Sequence, residues 1–117
     1  MLATKEARTV AARKMAGLRI VRVNLEDAEW VLYLAGELDY GTVGSVRVRV
    51  REFEDRHVAL DLSGLTFTDS TGLALLLEER ARSLRRGTRF RIRGANGQTL
   101  ELLERTGLLS LLASPTG

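Results

Sequence analysis

Between His57 and Arg93 the chain passes from a short apolar run, through one long amphipathic stretch, into a second, alternating run. That order requires a crossover connection between parallel strands of one sheet. His57 to Leu62 (His-Val-Ala-Leu-Asp-Leu) reads as a buried strand ended by Ser63-Gly64, and Leu65 to Thr68 crosses to the next element. From Ser70 to Arg86 the residues Leu73, Leu76, Leu77, Ala81 and Leu84 form one helical apolar stripe, with Glu78, Glu79, Arg82, Arg85 and Arg86 mostly off it. Arginines in the last turn suit the negative end of the helix dipole, and Gly87 is placed to terminate it. Thr88 to Arg93 alternates Phe90 and Ile92 with arginines, as an exposed edge strand does.

The flanking segments complete an α/β domain with a mixed sheet. Leu18 to Leu25 places Ile20, Val21, Val23 and Leu25 among arginines, a half-buried strand. Glu26 to Glu29 is a polar turn, and Trp30 to Ala35 is an apolar run suited to a strand covered on both faces, so the two form a hairpin. Gly36-Glu37-Leu38-Asp39 ends that strand. Gly41 to Glu54 supports two readings: Val46, Val48 and Val50 alternate as in a strand, whereas Val43, Val46, Val50 and Phe53 share a helix face that Asp39 or Thr42 would cap. After the Gly94-Ala95-Asn96-Gly97 loop a short helix runs to about Arg105 with Leu100, Leu102 and Leu103 inward; Gly107 stops it, and Leu108 to Leu112 is a last apolar patch.

A chain of 117 residues accommodates one domain, expected here over 17–112, between a basic leader (1–16, a short helix or disordered) and a polar tail (113–117). That size buries a core without staples, and the absence of cysteine removes disulfides, thiolate metal sites and cysteine nucleophiles. Met1 to Gly17 is charged throughout, neither signal peptide nor membrane span, so a cytoplasmic location is expected. The net charge of +3 is unevenly spread: seven arginines lie between Arg80 and Arg93 with no acid among them. Such a stripe suits nucleic acid, an anionic surface, an acidic protein or solvent alone. Without a recognised reading helix or stacking aromatic pair, no nucleic-acid partner is expected.

Asp69-Ser70-Thr71-Gly72 stands where the crossover meets the long helix. Asp or Ser at a first helical position caps unpaired amides, which is a structural role. The same position exposes a hydroxyl to a positive dipole. A phosphate there would be tolerated by the fold, and its charge of about −1.5 to −2 would act on whatever docks against that surface.

Gly36-Glu37-Leu38-Asp39, then Ala59 to Leu73 (Ala-Leu-Asp-Leu-Ser-Gly-Leu-Thr-Phe-Thr-Asp-Ser-Thr-Gly-Leu), and later Leu103-Glu104-Arg105-Thr106-Gly107-Leu108 resemble the STAS domain, and within it the anti-sigma-factor antagonist group. The resemblance covers about Leu18 to Leu112, and its central motif is the most specific. It implies a mixed sheet of about four to five strands with helices packed on one side, and a helix over Gly41 to Glu54. It implies a non-enzymatic protein that, unphosphorylated, binds a serine-kinase anti-sigma factor, which then releases its sigma factor. The kinase phosphorylates the serine after the motif aspartate, here Ser70 with Thr71 as fallback, and a metal-dependent serine phosphatase reverses the step. Asp39, Asp69, Ser70, Thr71 and Gly72 fall at the family's partner-contacting or switch-shaping positions. Related members serve in stress-sensing assemblies or lipid-transport ATPases, a second role for the same fold. This chain departs in a short first-helix segment, in Ala74 where glycine is common, in ending soon after Leu112, and in its basic leader.

No catalytic or metal constellation stands beside the motif. His57 is the single histidine, so a structural or solvated role is expected. Glu26, Asp27 and Glu29 lack calcium-loop spacing, Glu37 and Asp39 have no companion acid or nucleophile, and Gly36, Gly41 and Gly44 form no phosphate loop. Trp30 reads as packing. No cofactor is expected, and the sequence sets no oligomeric state.

Overall fold

Side chains alternate across a strand, and here the alternation gives the sheet two unlike faces. The computed structural model describes residues 17–113; the expected leader over 1–16 and tail residues 114–117 lie outside the described residues. The elements are β1 (Leu18–Glu26), β2 (Glu29–Leu38), α1 (Val43–Arg51), β3 (His57–Thr68), α2 (Ser70–Arg86), β4 (Phe90–Arg93), α3 (Gly97–Arg105) and α4 (Leu109–Ala113). The strands lie in the order β1-β2-β3-β4, antiparallel at the hairpin and parallel thereafter. Leu32, Leu34, Val58, Leu60, Leu62, Phe90 and Ile92 point to the helices and join Val46, Val50, Leu73, Leu76, Leu103 and Leu112 in one core. Gly41 to Glu54 resolves as helix: Val43, Val46 and Val50 are buried, and Val48 is turned to solvent.

Two strands outrun their glycines. β2 continues through Gly36 to Leu38, and β3 continues through Ser63-Gly64 to Thr68, because these glycines let neighbouring backbones close in. A Cβ on Gly64 would stand 2.6 Å from the Leu34 carbonyl oxygen, and the β2–β3 register shifts there. Gly36 (φ +111°) would overlap the Gly17 carbonyl, which accepts a hydrogen bond from Glu37 N. The crossover expected over Leu65 to Thr68 is therefore strand.

The long helix spans the expected residues, but its stripe is divided. Gly72, Leu73, Leu75, Leu76 and Glu79 face inward, whereas Ala81 and Leu84 are exposed and Leu77 sits between. Glu79, expected off the apolar stripe, is only 4% exposed, and Arg51 of α1 reaches it at 3.1 Å, so an ion pair occupies the helix–helix seam. Neither expected side-chain cap of α1 forms: Thr42 is the N-cap residue, but its hydroxyl donates to Glu37 O (2.8 Å). In α3, Leu103 is buried, and Thr99 takes the inward place expected of Leu100.

Candidate functional site

β2 and β3 run parallel, so their carboxyl ends reach the same edge, and the helices that follow them both begin there. Asp69 is extended (φ −103°, ψ −176°) and caps α2: Oδ1 accepts from Gly72 N at 2.9 Å. Its other oxygen, Oδ2, accepts from Tyr40 N at 3.2 Å, and its own amide donates to Leu38 O at 3.2 Å. One carboxylate thus holds both the helix start and the β2–α1 turn. Asp39 shapes that turn from within, its Oδ1 accepting from Gly41 N at 3.0 Å. The two aspartates therefore bind consecutive amides, Tyr40 and Gly41. Gly72 permits the close approach: a Cβ there would overlap the Leu38 carbonyl and stand 2.9 Å from Leu38 Cγ.

Ser70 is the first residue of α2 and is exposed; Thr71 beside it is half-buried. The cap bond belongs to Asp69, so the Ser70 hydroxyl is not needed to start the helix. Tyr40, 83% exposed, and Phe67, 40% exposed, lie on the approach to this edge. Thr68 is fixed from behind by Gln98, whose amide accepts from Thr68 N and donates to Thr68 O, both at 2.8 Å, while the Thr68 and Thr99 hydroxyls meet at 2.8 Å inside the core. Sequence reasoning passed over Tyr40, Phe67, Gln98 and Thr99. One signal was present: residues 23–46 and 57–79 contain no lysine or arginine, so the segments that meet at this edge contribute Glu37, Asp39 and Asp69 without a basic neighbour in sequence.

The arginine run is not a continuous basic face, because helix and strand send its members to opposite sides of the sheet. Arg82 pairs with Glu54, and Arg86 with Asp55, across the α1–α2 seam. Beneath the sheet, Arg91 grips Glu29 with two bonds (2.8 and 2.7 Å). Arg93 meets Asp61 (3.0 Å), Glu26 (3.3 Å) and the Tyr33 hydroxyl (2.7 Å), and the Arg22 guanidinium lies 4.1 Å from the Tyr33 ring centroid. The Arg91 bonds hold the Glu29 carboxyl below its ordinary value. Burial raises the Asp61 carboxyl, but donors from Ser63 and Arg93 together outweigh it, so Asp61 also lies low. Glu26, Glu29 and Asp61 are thus committed to these pairs, and no cluster of three or more metal-ligating side chains occurs among the described residues. His57 serves packing: Nδ1 accepts from Arg89 N at 3.0 Å and ties β3 to the start of β4. Trp30 packs against Phe53, the ring centroids 5.3 Å apart and the planes tilted by 44°. No helix among the described residues is long and apolar enough to cross a membrane.

The sequence profile of the STAS domain matches residues 19–116. The chain belongs to the STAS domain family. A curated relative, the anti-sigma F factor antagonist of Paenibacillus polymyxa, is 30% identical over 86 residues, covering 70% of this chain and 74% of that protein. Among solved structures, an anti-sigma factor antagonist from Mycobacterium paratuberculosis superposes with a TM-score of 0.69 at 22% identity, covering 85% of this chain and 86% of that one. The murine solute carrier 26 member A9 anion transporter also contains the fold (TM-score 0.65, 12% identity), this chain spanning 92% of itself but 21% of the transporter. At these identities the structural likenesses establish the STAS fold: a mixed four-stranded sheet with helices on one face.

Proposed function

We propose that this STAS domain is a non-enzymatic anti-sigma-factor antagonist of the cytoplasm, which binds a serine-kinase anti-sigma factor when unmodified and is released when Ser70 is phosphorylated. The observation that carries the reading is the division of labour at the start of α2, where Asp69 makes the cap and Ser70 stands exposed beside it. The name of the Paenibacillus relative supports the partner class. A phosphoryl group at Ser70 meets the positive end of α2, which favours the anion, so the fold is preserved. To a docked protein the same group presents new charge and volume beside Asp39 and Asp69, and affinity falls. Dephosphorylation by a metal-dependent serine phosphatase restores binding. Asp39, Asp69, Thr71 and Gly72 form the surface on which the partner rests, and Thr71 is the secondary acceptor. The pairing of Arg82, Arg86, Arg91 and Arg93 with carboxylates supports a protein partner over nucleic acid.

Incubation with ATP and candidate anti-sigma kinases from the same genome tests this reading. Wild type is expected to take up one phosphate, and Ser70→Ala none, with an unchanged melting temperature. Full labelling of Ser70→Ala at a residue other than Thr71 removes Ser70 from the account.

A further inference from the structure

The residues of α2 outside its buried face form a second feature, and of these Leu77 also packs against the edge of the core. Ser70, Ala74, Leu77, Ala81 and Leu84 follow one another at intervals of three and four, so they lie on one line along the outer face of the helix. Ala74, Ala81 and Leu84 are exposed, Leu84 to 51%, and Leu77 is half-buried. The line begins at the candidate phosphoacceptor and runs the length of the helix. Soluble helices ordinarily place charge on such a face. Two arginines border it. Arg80 and Arg85 have no carboxylate within 4 Å among the described residues, unlike Arg82 and Arg86 on the α1 side. The Nε of Arg80 is buried and has no hydrogen-bond partner.

A second copy of this chain fits the stripe poorly. A two-fold contact repeats each residue against its mate. Antiparallel pairing of α2 centred between Leu77 and Ala81 sets Ala74 opposite Leu84, which packs well, but it also brings Arg80 towards Arg80 and Glu78 towards Glu78. Parallel pairing sets one flank of the helix against the other, so Arg80 faces Glu78 of the mate, but Glu78 is already held by Arg47 and Arg51, and Arg85 gains no acid. A different protein that supplies acids against Arg80 and Arg85 pairs both.

We propose that Ala74, Leu77, Ala81 and Leu84 extend the Ser70 docking face and seat an apolar-faced helix of the anti-sigma partner whose flanking acidic residues pair with Arg80 and Arg85. The inference rests on the antagonist reading above and adds to it where, and against what chemistry, the partner lies. It gives the partner a contact that phosphorylation leaves in place, so the modification weakens one end of a longer interface.

The test measures affinity, by calorimetry, for the purified kinase that labels Ser70. Ala81→Glu and Leu84→Ser are chosen because both sites are solvent-facing, with circular dichroism melts as the control of fold. Each is expected to weaken binding about tenfold or more, and Arg85→Glu to do so by a margin that shrinks in 0.5 M salt. The rate of Ser70 labelling at saturating kinase is expected to stay at the wild-type level. If Ser70→Asp weakens binding while Ala81→Glu, Leu84→Ser and Arg85→Glu bind as wild type, the stripe is not part of the interface and the antagonist reading stands. If wild type binds no kinase, both fail. If the wild type sediments as a dimer that Leu84→Ser converts to monomer, the occupant is a second copy and the proposal is overturned.

Discussion

At the scale of single residues, Asp69 and Gly72 carry more of the structure than their place in a short motif suggests. Asp69 binds Gly72 N and Tyr40 N at once. Asp69→Ala is expected to cost about 1 kcal/mol for the lost cap, with a further loss at the Tyr40 turn. Urea unfolding measures the first effect, and faster amide exchange at Tyr40 the second. Gly72→Ala forces a methyl into Leu38 and its carbonyl, and is expected to destabilise by about 1–3 kcal/mol in the same urea experiment. An unchanged midpoint would show that α2 retreats from β2 without loss. Both residues were legible as motif members. Their grip on β2 was not, because it depends on which strand end lies against α2.

At the scale of elements, the sequence showed the hairpin, the buried strand, the extent of α2 and the helix ending near Arg105, since each has a clear period or a marked terminus, whereas Leu108 to Leu112 read only as an apolar patch and α4 did not show. It missed where strands end. Gly36 and Gly64 look like breakers, yet both occur where two backbones come too close for a side chain. It also missed how α2 is turned, because a run of leucines satisfies more than one face and a buried Glu79–Arg51 pair leaves no apolar trace. The hairpin turn offers its own test. Asp27 and Ala28 both have positive φ (50° and 65°), a two-residue turn that prefers Asp-Gly. Ala28→Gly is expected to stabilise the protein by roughly 0.5–1 kcal/mol, the left-handed strain relieved exceeding the entropy that glycine adds to the unfolded chain. Thermal unfolding should show a higher midpoint.

For the whole molecule, charge is sorted by place. Acids without a basic neighbour in sequence gather where α1 and α2 begin, and paired arginines line the seam and the far face of the sheet. Asp61 and Glu29 have folded pKa values below their ordinary ones. A depressed carboxylate contributes stability that is fully present above its unfolded pKa, near 4, and is lost as pH falls through the folded value. Stability against urea is therefore expected to hold from pH 7 to 5 and to decline below about pH 4, more gently in Arg93→Met, where Asp61 has lost its partner.

Above the start of α2, added charge is expected to change affinity without changing the scaffold. The most direct measurement compares protein stoichiometrically phosphorylated on Ser70 with unmodified protein, in binding to the labelling kinase and in thermal stability side by side. The expected result is an affinity at least tenfold weaker with a melting temperature within a few degrees of the unmodified protein. Equal affinities, or a phosphorylated form that no longer folds, would contradict it.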